Sequence, residues 1–116
     1  YNKADLQFIY DIYNAAYQAD QTHPSYLVIT NNKVYKTFGP LCDVLAIDTY
    51  PVADGTIEDV GKNIALAYKQ LGGEVPIWNC GQMFSWPNQR RPNPQEHRYM
   101  TYSSIINGAK GMLWYT

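Results

Sequence analysis

The chain is poor in the features that would assign it quickly. Two cysteines in 116 residues are too few for a disulfide framework. His23, His97, Cys42 and Cys80 have no metal-ligand spacing, so neither a zinc site nor any other metal is expected. No G-x-G-x-x-G and no G-x-x-x-x-G-K-[ST] opens a helix, which leaves a dinucleotide or P-loop reading without support, and no cofactor is expected. Ten acidic and nine basic residues leave a formal charge of -1, without the basic footprint of a nucleic-acid binder. The only basic run, Arg90-Arg91, sits in a Pro/Asn-rich loop. No apolar run approaches the roughly 20 residues needed to span a bilayer, so no membrane partner is expected. No signal peptide and no Asn-Xaa-Ser/Thr sequon is visible, and the chain starts at Tyr1 rather than Met, so its compartment stays open.

What remains is one compact domain with an ordinary 46% apolar content and unusually many aromatics. Eleven Tyr, three Trp and three Phe make up 15% of the chain. Tyr and Trp join an apolar ring to a polar tip, which suits half-wet clefts that stack on a ligand and hydrogen-bond to it. Tyr-rich helix faces in a core would give the same count, and composition does not choose between the two.

Periodicity supplies the organisation. Leu6, Ile9, Tyr13 and Ala16 form one stripe of an amphipathic helix over 3–20. "YLVIT", 26–30, is a short apolar run that reads as a buried parallel strand. "NNKVYKTFGPLC" is a loop or a very short helix. "DVLAIDTYPV", 43–52, is a second buried strand ended by Pro51. Thr56 as N-cap with Asp59 at N3 announces a helix with the stripe Ile57, Val60, Ile64, Ala67 and Leu71, stopped by Gly72-Gly73. "VPIWNC" is strand three. Asn93 as N-cap, Pro94 at the first helical position and Glu96 at N3 predict a helix from 94 to about 108, closed by Gly108 and Gly111. Ser103-Ser104 lie mid-helix, small enough to let it approach a sheet, and "MLWYT" is strand four. Strands separated by helices with short loops mean βαβ units, an α/β fold with four parallel strands lying side by side in chain order. In that register Cys42 and Cys80 are offset by roughly 20 Å at about 3.3 Å per residue, so both thiols are expected to be free.

Ligands of such sheets gather at the carboxyl ends of the strands. There stand Thr30, Asn31 and Asn32; Asp48, Thr49 and Tyr50; Asn79, Gln82, Phe84 and Trp86; and Trp114 and Tyr115. Sugars need this mixture, because a pyranose has an apolar face for aromatics and an edge of hydroxyls for amides and carboxylates. Tyr50, Asn79, Gln82, Trp86 and Trp114 are the candidate substrate-binding residues. Asp48 is the candidate catalytic group, since a carboxylate following "VLAI" is costly to bury without a partner or a purpose. The bland alternatives stay open: amides at strand ends often only tie down loops, and Trp114 could be core filling.

"DVLAIDTYPV", "VPIWNCGQMFSW" and "RRPNPQEHRYMTYSSIINGAKGMLWYT" resemble the C-terminal half of (β/α)8-barrel glycoside hydrolases of the retaining β-glycosidase type. The resemblance implies half of a TIM barrel, residues 1–116 forming one half-barrel domain, with strands standing for barrel strands five to eight and helix 3–20 for the helix after strand four. It implies two catalytic glutamates, an acid/base after strand four and a nucleophile after strand seven. The first would precede Tyr1 and is absent from this chain. The second would fall in "NCGQMF", where Gln82 is the match, and an amide cannot act as that anion does. Four strands cannot close a barrel, so the chain is expected to be a fragment of a longer barrel or to pair as a homodimer that completes eight strands. The expected function is a glycoside-hydrolase-like half-barrel with a carbohydrate-binding rim, catalytically incomplete alone. The alternative is a non-enzymatic α/β interaction module, or a dimerising fragment with no sugar ligand.

Overall fold

The computed structural model of the chain describes residues 3–52 and 54–116. Helix α1 (Lys3–Ala19) leads into strand β1 (Tyr26–Ile29), a short helix α2 (Tyr35–Phe38) and a 3-10 turn (Gly39–Leu41). Strand β2 (Val44–Ile47), helix α3 (Glu58–Leu71), strand β3 (Ile77–Gln82), helix α4 (Pro94–Ile106) and strand β4 (Gly111–Tyr115) follow. The four strands form one parallel sheet in the order β1-β2-β3-β4, as half of a TIM barrel requires.

The core lies between the sheet and its helices. Every residue of β2 is buried. Its Leu45 and Ile47, with Ile77 of β3, pack against Ile64, Ala67 and Leu71 of α3 and against Tyr35 of α2. Gly72, at φ 62°, turns the chain out of α3 in the left-handed conformation that costs other residues more. Helix α4 begins as its sequence predicts: Asn93 Oδ1 accepts from the Glu96 N–H at 2.9 Å, and Glu96 returns the bond to the Asn93 N–H at 2.9 Å. Both thiols are free, because Leu45 stands level with Ile77 and the two cysteines are six positions out of register.

Several expectations need correction. β1 is not a buried strand: Tyr26 is 59% and Val28 40% exposed, because β1 is the sheet's edge and only its Leu27 and Ile29 face the helix layer. Helix α1 buries no residue completely: Leu6, Ile9 and Tyr13 of its stripe are half-buried, while Phe8, Tyr10, Ile12 and Tyr17, outside the stripe, are exposed. Helix α3 starts at Glu58 without a side-chain cap; of the Thr56/Asp59 pair, Asp59 Oδ2 accepts from the Thr56 N–H at 3.3 Å. Ser103 opposes a helix rather than the sheet, since a Cβ on Gly61 of α3 would lie 2.2 Å from its Oγ. Strand β3 runs on to Gln82, and Gly111 opens β4 instead of closing α4. That glycine is required where it stands, because the Trp78 ring lies 2.5 Å from where its Cβ would be.

Candidate functional site

At the carboxyl end of the sheet, side chains from three segments meet. Tyr50 comes from the loop after β2, Phe84 and Trp86 from the loop after β3, and Tyr115 from the end of β4. Phe84 is the hub: its ring lies edge-on to Tyr50 at 5.0 Å, to Tyr115 at 5.2 Å and to Trp86 at 4.8 Å between centroids. Tyr50 and Tyr115 stack at 5.9 Å. Edge-to-face packing of this kind holds rings in fixed orientations. Trp86 is nevertheless 50% exposed, and Tyr115 is similarly open, so both keep ring surface for a ligand. The Tyr50 hydroxyl lies 3.5 Å from Cys80 Sγ. Burial, then the neighbouring Cys80 thiol, pushes the Tyr50 phenol far above its ordinary range, so it remains a neutral hydroxyl.

Asp48 follows β2 and is half-buried. Burial raises its pKa, opposed by the Thr30 hydroxyl. Its Oδ1 is buried with no hydrogen-bond partner among the described residues. Around it, the amides behave as loop ties. Asn63 Nδ2 donates to Thr49 Oγ1 at 3.0 Å, Asn32 Nδ2 donates to Asn63 Oδ1 at 3.1 Å, and Asn31 Oδ1 accepts from the Lys33 N–H at 3.0 Å. Glu96 is absorbed by its cap and by Arg90, whose two nitrogens each lie 2.6 Å from a carboxylate oxygen.

Gln82 is 1% exposed and its amide is engaged on both sides. Oε1 accepts from the Val52 N–H at 3.0 Å, while Nε2 donates to the Val52 carbonyl at 3.1 Å and the Phe84 carbonyl at 3.4 Å. The side chain imitates a strand partner for Val52 and clasps the loop after β2 to the loop after β3. Those are the loops that carry Tyr50 and Phe84. Gln82 therefore positions the aromatic cluster, and its polar atoms are turned to backbone instead of to the rim.

Two further candidates lie elsewhere than expected. Asn79 is 1% exposed and shares the helix-facing side of β3 with Ile77, level with Ile47. It sits inside the wall, its amide without a partner among the described residues. Trp114 stacks on His97 of α4 at 4.4 Å between ring centroids, which also puts it on the helix side of the sheet. Alternation along β4 sends its neighbour Tyr115 to the opposite face, into the cluster. Of the five proposed binding residues, Tyr50 and Trp86 come together, Gln82 supports them, and Asn79 and Trp114 do not join. Phe84 and Tyr115 take their places. Among the described residues no group of three His, Cys, Asp or Glu is arranged to hold a metal ion.

The arrangement is a four-stranded parallel half-barrel with an aromatic rim. Among solved structures, a β-glucuronidase of an uncultured Clostridium species is similar over 99% of this chain, with a TM-score of 0.64 and 10% sequence identity. The chain spans 23% of the length of that protein. At this identity the likeness is one of fold. Comparison with protein-family models and with curated sequences finds no match.

Proposed function

We propose that the chain is a glycoside-hydrolase-like half-barrel whose rim binds carbohydrate and which is catalytically incomplete by itself. The observation that carries the reading is the cluster of Tyr50, Phe84, Trp86 and Tyr115, a preformed aromatic surface beside a neutral phenol and a half-buried carboxylate. Stacking plates and hydrogen-bonding groups side by side are what the two kinds of sugar surface require. Incompleteness follows from Gln82. Retaining hydrolysis uses two carboxyl groups about 5–5.5 Å apart, and the residue at the nucleophile's place by resemblance is a buried amide bonded to backbone. Asp48 would then orient a sugar hydroxyl rather than attack an anomeric carbon.

Titration with neutral and acidic oligosaccharides, followed by the Trp86 indole and Tyr115 ring resonances, tests binding. Acidic sugars belong in the panel because the similar chain is named a β-glucuronidase. Saturable shifts confined to the cluster are expected, with no turnover of chromogenic glycosides. Robust turnover abolished by Asp48→Asn would refute incompleteness. A second reading, a non-enzymatic interaction module, is favoured by the unburied apolar residues of α1. Silence of the cluster toward every sugar would leave that reading standing.

A further inference from the structure

The rim carries one charge that no side chain among the described residues neutralises. Asp48 leaves β2 level with Thr30, since Ile29 pairs with Ile47, and it is half-buried with Oδ1 lacking a partner. The ion pairs among the described residues are His23 with Asp20, Lys62 with Asp59 and Arg90 with Glu96, and Asp48 is in none of them. Burial, the Thr30 hydroxyl and its own backbone act on the carboxyl, and no cation is among these influences. The nearby bases are engaged or placed elsewhere. Arg90 is held by Glu96, Arg98 lies over the Tyr102 ring, and Arg91 lines a hollow with His97 at the start of α4. Lys33 and Lys36, beyond β1, form no ion pair with it. A half-buried carboxylate without a cation is costly, and a ligand's positive charge relieves that cost.

Aromatic rings stand beside that charge. The Asp48 carboxylate acts electrostatically on the Tyr50 phenol, two residues along, so it and the cluster that Tyr50 opens share one end of the sheet. Tyr50 and Tyr115 are within 30° of parallel, and Phe84 stands nearly perpendicular to both and to Trp86. Trp86 is 50% and Tyr115 55% exposed, so their faces are open to a ligand. The face of an aromatic ring is its negative side and attracts a cation lying within about 6 Å of the centroid. Carboxylate and ring faces therefore make the same demand. A sugar hydroxyl satisfies an acceptor, but only a cation answers both the charge and the rings.

We propose that the rim selects a protonated amino sugar, with Asp48 beside Tyr50 taking its ammonium group and Trp86 and Tyr115 taking its apolar face. The proposal rests on the carbohydrate reading of this same rim and narrows it: the group that Asp48 orients is an ammonium in place of a hydroxyl. A neutral sugar binds more weakly, because it leaves the carboxylate without a counter-charge. An acidic sugar binds most weakly, because its own carboxylate meets Asp48 and the negative ring faces. N-acetylation keeps the nitrogen and removes its charge, so it erases the advantage.

Titration of the whole chain with glucosamine, N-acetylglucosamine, glucose, glucuronate and methylammonium ion tests it, read on the Trp86 indole and Tyr115 ring resonances. The pH is set at ~6, where such an amine keeps its proton. Glucosamine should bind roughly tenfold more tightly than glucose, a difference of about 1.4 kcal/mol, with N-acetylglucosamine close to glucose and glucuronate below it. Added salt should shrink the preference. Asp48→Asn should bring glucosamine and glucose together, and Tyr115→Leu, at a position 55% exposed, should reduce the preference by roughly threefold. Equal affinities for glucosamine and glucose, or a preference that survives Asp48→Asn, overturn the proposal while sugar binding stands. A response to methylammonium and to no sugar supports the cation site and removes the carbohydrate reading. Silence toward every probe overturns both.

Discussion

Replacing Gln82 tests whether this position holds a clasp or a catalytic site. Gln82→Leu keeps the side-chain volume and removes three hydrogen bonds, two with Val52 at 3.0 and 3.1 Å and one with Phe84 at 3.4 Å. A neutral hydrogen bond contributes a net ~0.5–1.5 kcal/mol, and a buried group left unpaired costs ~1–3 kcal/mol. The Val52 N–H and C=O are left so, while the longer Phe84 bond counts for less. A Leu gains ~1 kcal/mol of transfer free energy in return, which leaves a net loss of about 2–3 kcal/mol. From a total of ~5–15 kcal/mol this is a large fraction, and it lowers Tm by about 10 °C for a domain of this size. Gln82→Glu behaves differently. One oxygen keeps the Val52 N–H, but the other faces two carbonyls, so the buried carboxyl's folded pKa rises above its unfolded value of ~4.3. Its proton is favoured in the folded state, so stability is highest below pH ~4.3 and falls by up to ~1.4 kcal/mol per unit as pH rises to the folded pKa. The Leu variant, compared with the parent, shows no such slope. Urea unfolding at pH 4, 5.5 and 7 measures both. If Leu lies within ~0.5 kcal/mol of the parent, or Glu matches the parent at every pH, the clasp is refuted and the case for a missing nucleophile loses its physical basis.

Three further outcomes follow from neighbouring geometry. Gly111→Ala forces a Cβ to within 2.5 Å of the Trp78 ring and should cost ~1–3 kcal/mol by overpacking, visible in Tm and in a shifted Trp78 indole resonance. Asn93→Ala should cost ~1 kcal/mol by uncapping α4. The associated Glu96 carboxyl, held at about 2 by Arg90 and then the Asn93 N–H, contributes stability above its unfolded pKa that is lost as pH falls toward 2; Glu96→Gln should flatten that acid limb. Asp48 has the opposite sign, since burial raises its folded pKa: it favours folding below its unfolded pKa of ~3.9 and loses that contribution as pH rises through the folded value. The stability difference between Asp48→Asn and the parent should therefore grow with pH from about 4 upward.

The architecture was largely legible because its signals are periodic. The Ile57-to-Leu71 stripe, the Asn93-Pro94-Glu96 cap and the continuous run "VLAI" each have one comfortable solution, and the sheet follows from their alternation. The edge character of β1 was not legible, since "YLVI" is as apolar as "VLAI" and differs in what lies beyond it. The site was half legible for a related reason. A strand covered on both faces has no polar side to mark its phase, and a slip of one residue exchanges the faces. "PIWNCGQ" and "GMLWYT" are of this kind, so the sequence points Asn79 and Trp114 to the rim although both lie on the helix side of the sheet. A phase marker was present in the glycines. Gly111 lies under Trp78 and Gly81 under Trp114, each ring about 2.5 Å from a missing Cβ. Adjacent parallel strands that pair a glycine with a tryptophan place both on one face. The two pairs alternate, so if Trp114 with Gly81 faces the helices, Trp78 with Gly111 faces the barrel interior, and Tyr115, one residue beyond Trp114, must also face inward. The rim's aromatic surface is thus fixed by two glycines that never touch a ligand, and enlarging either one should disturb the phase of the whole cluster.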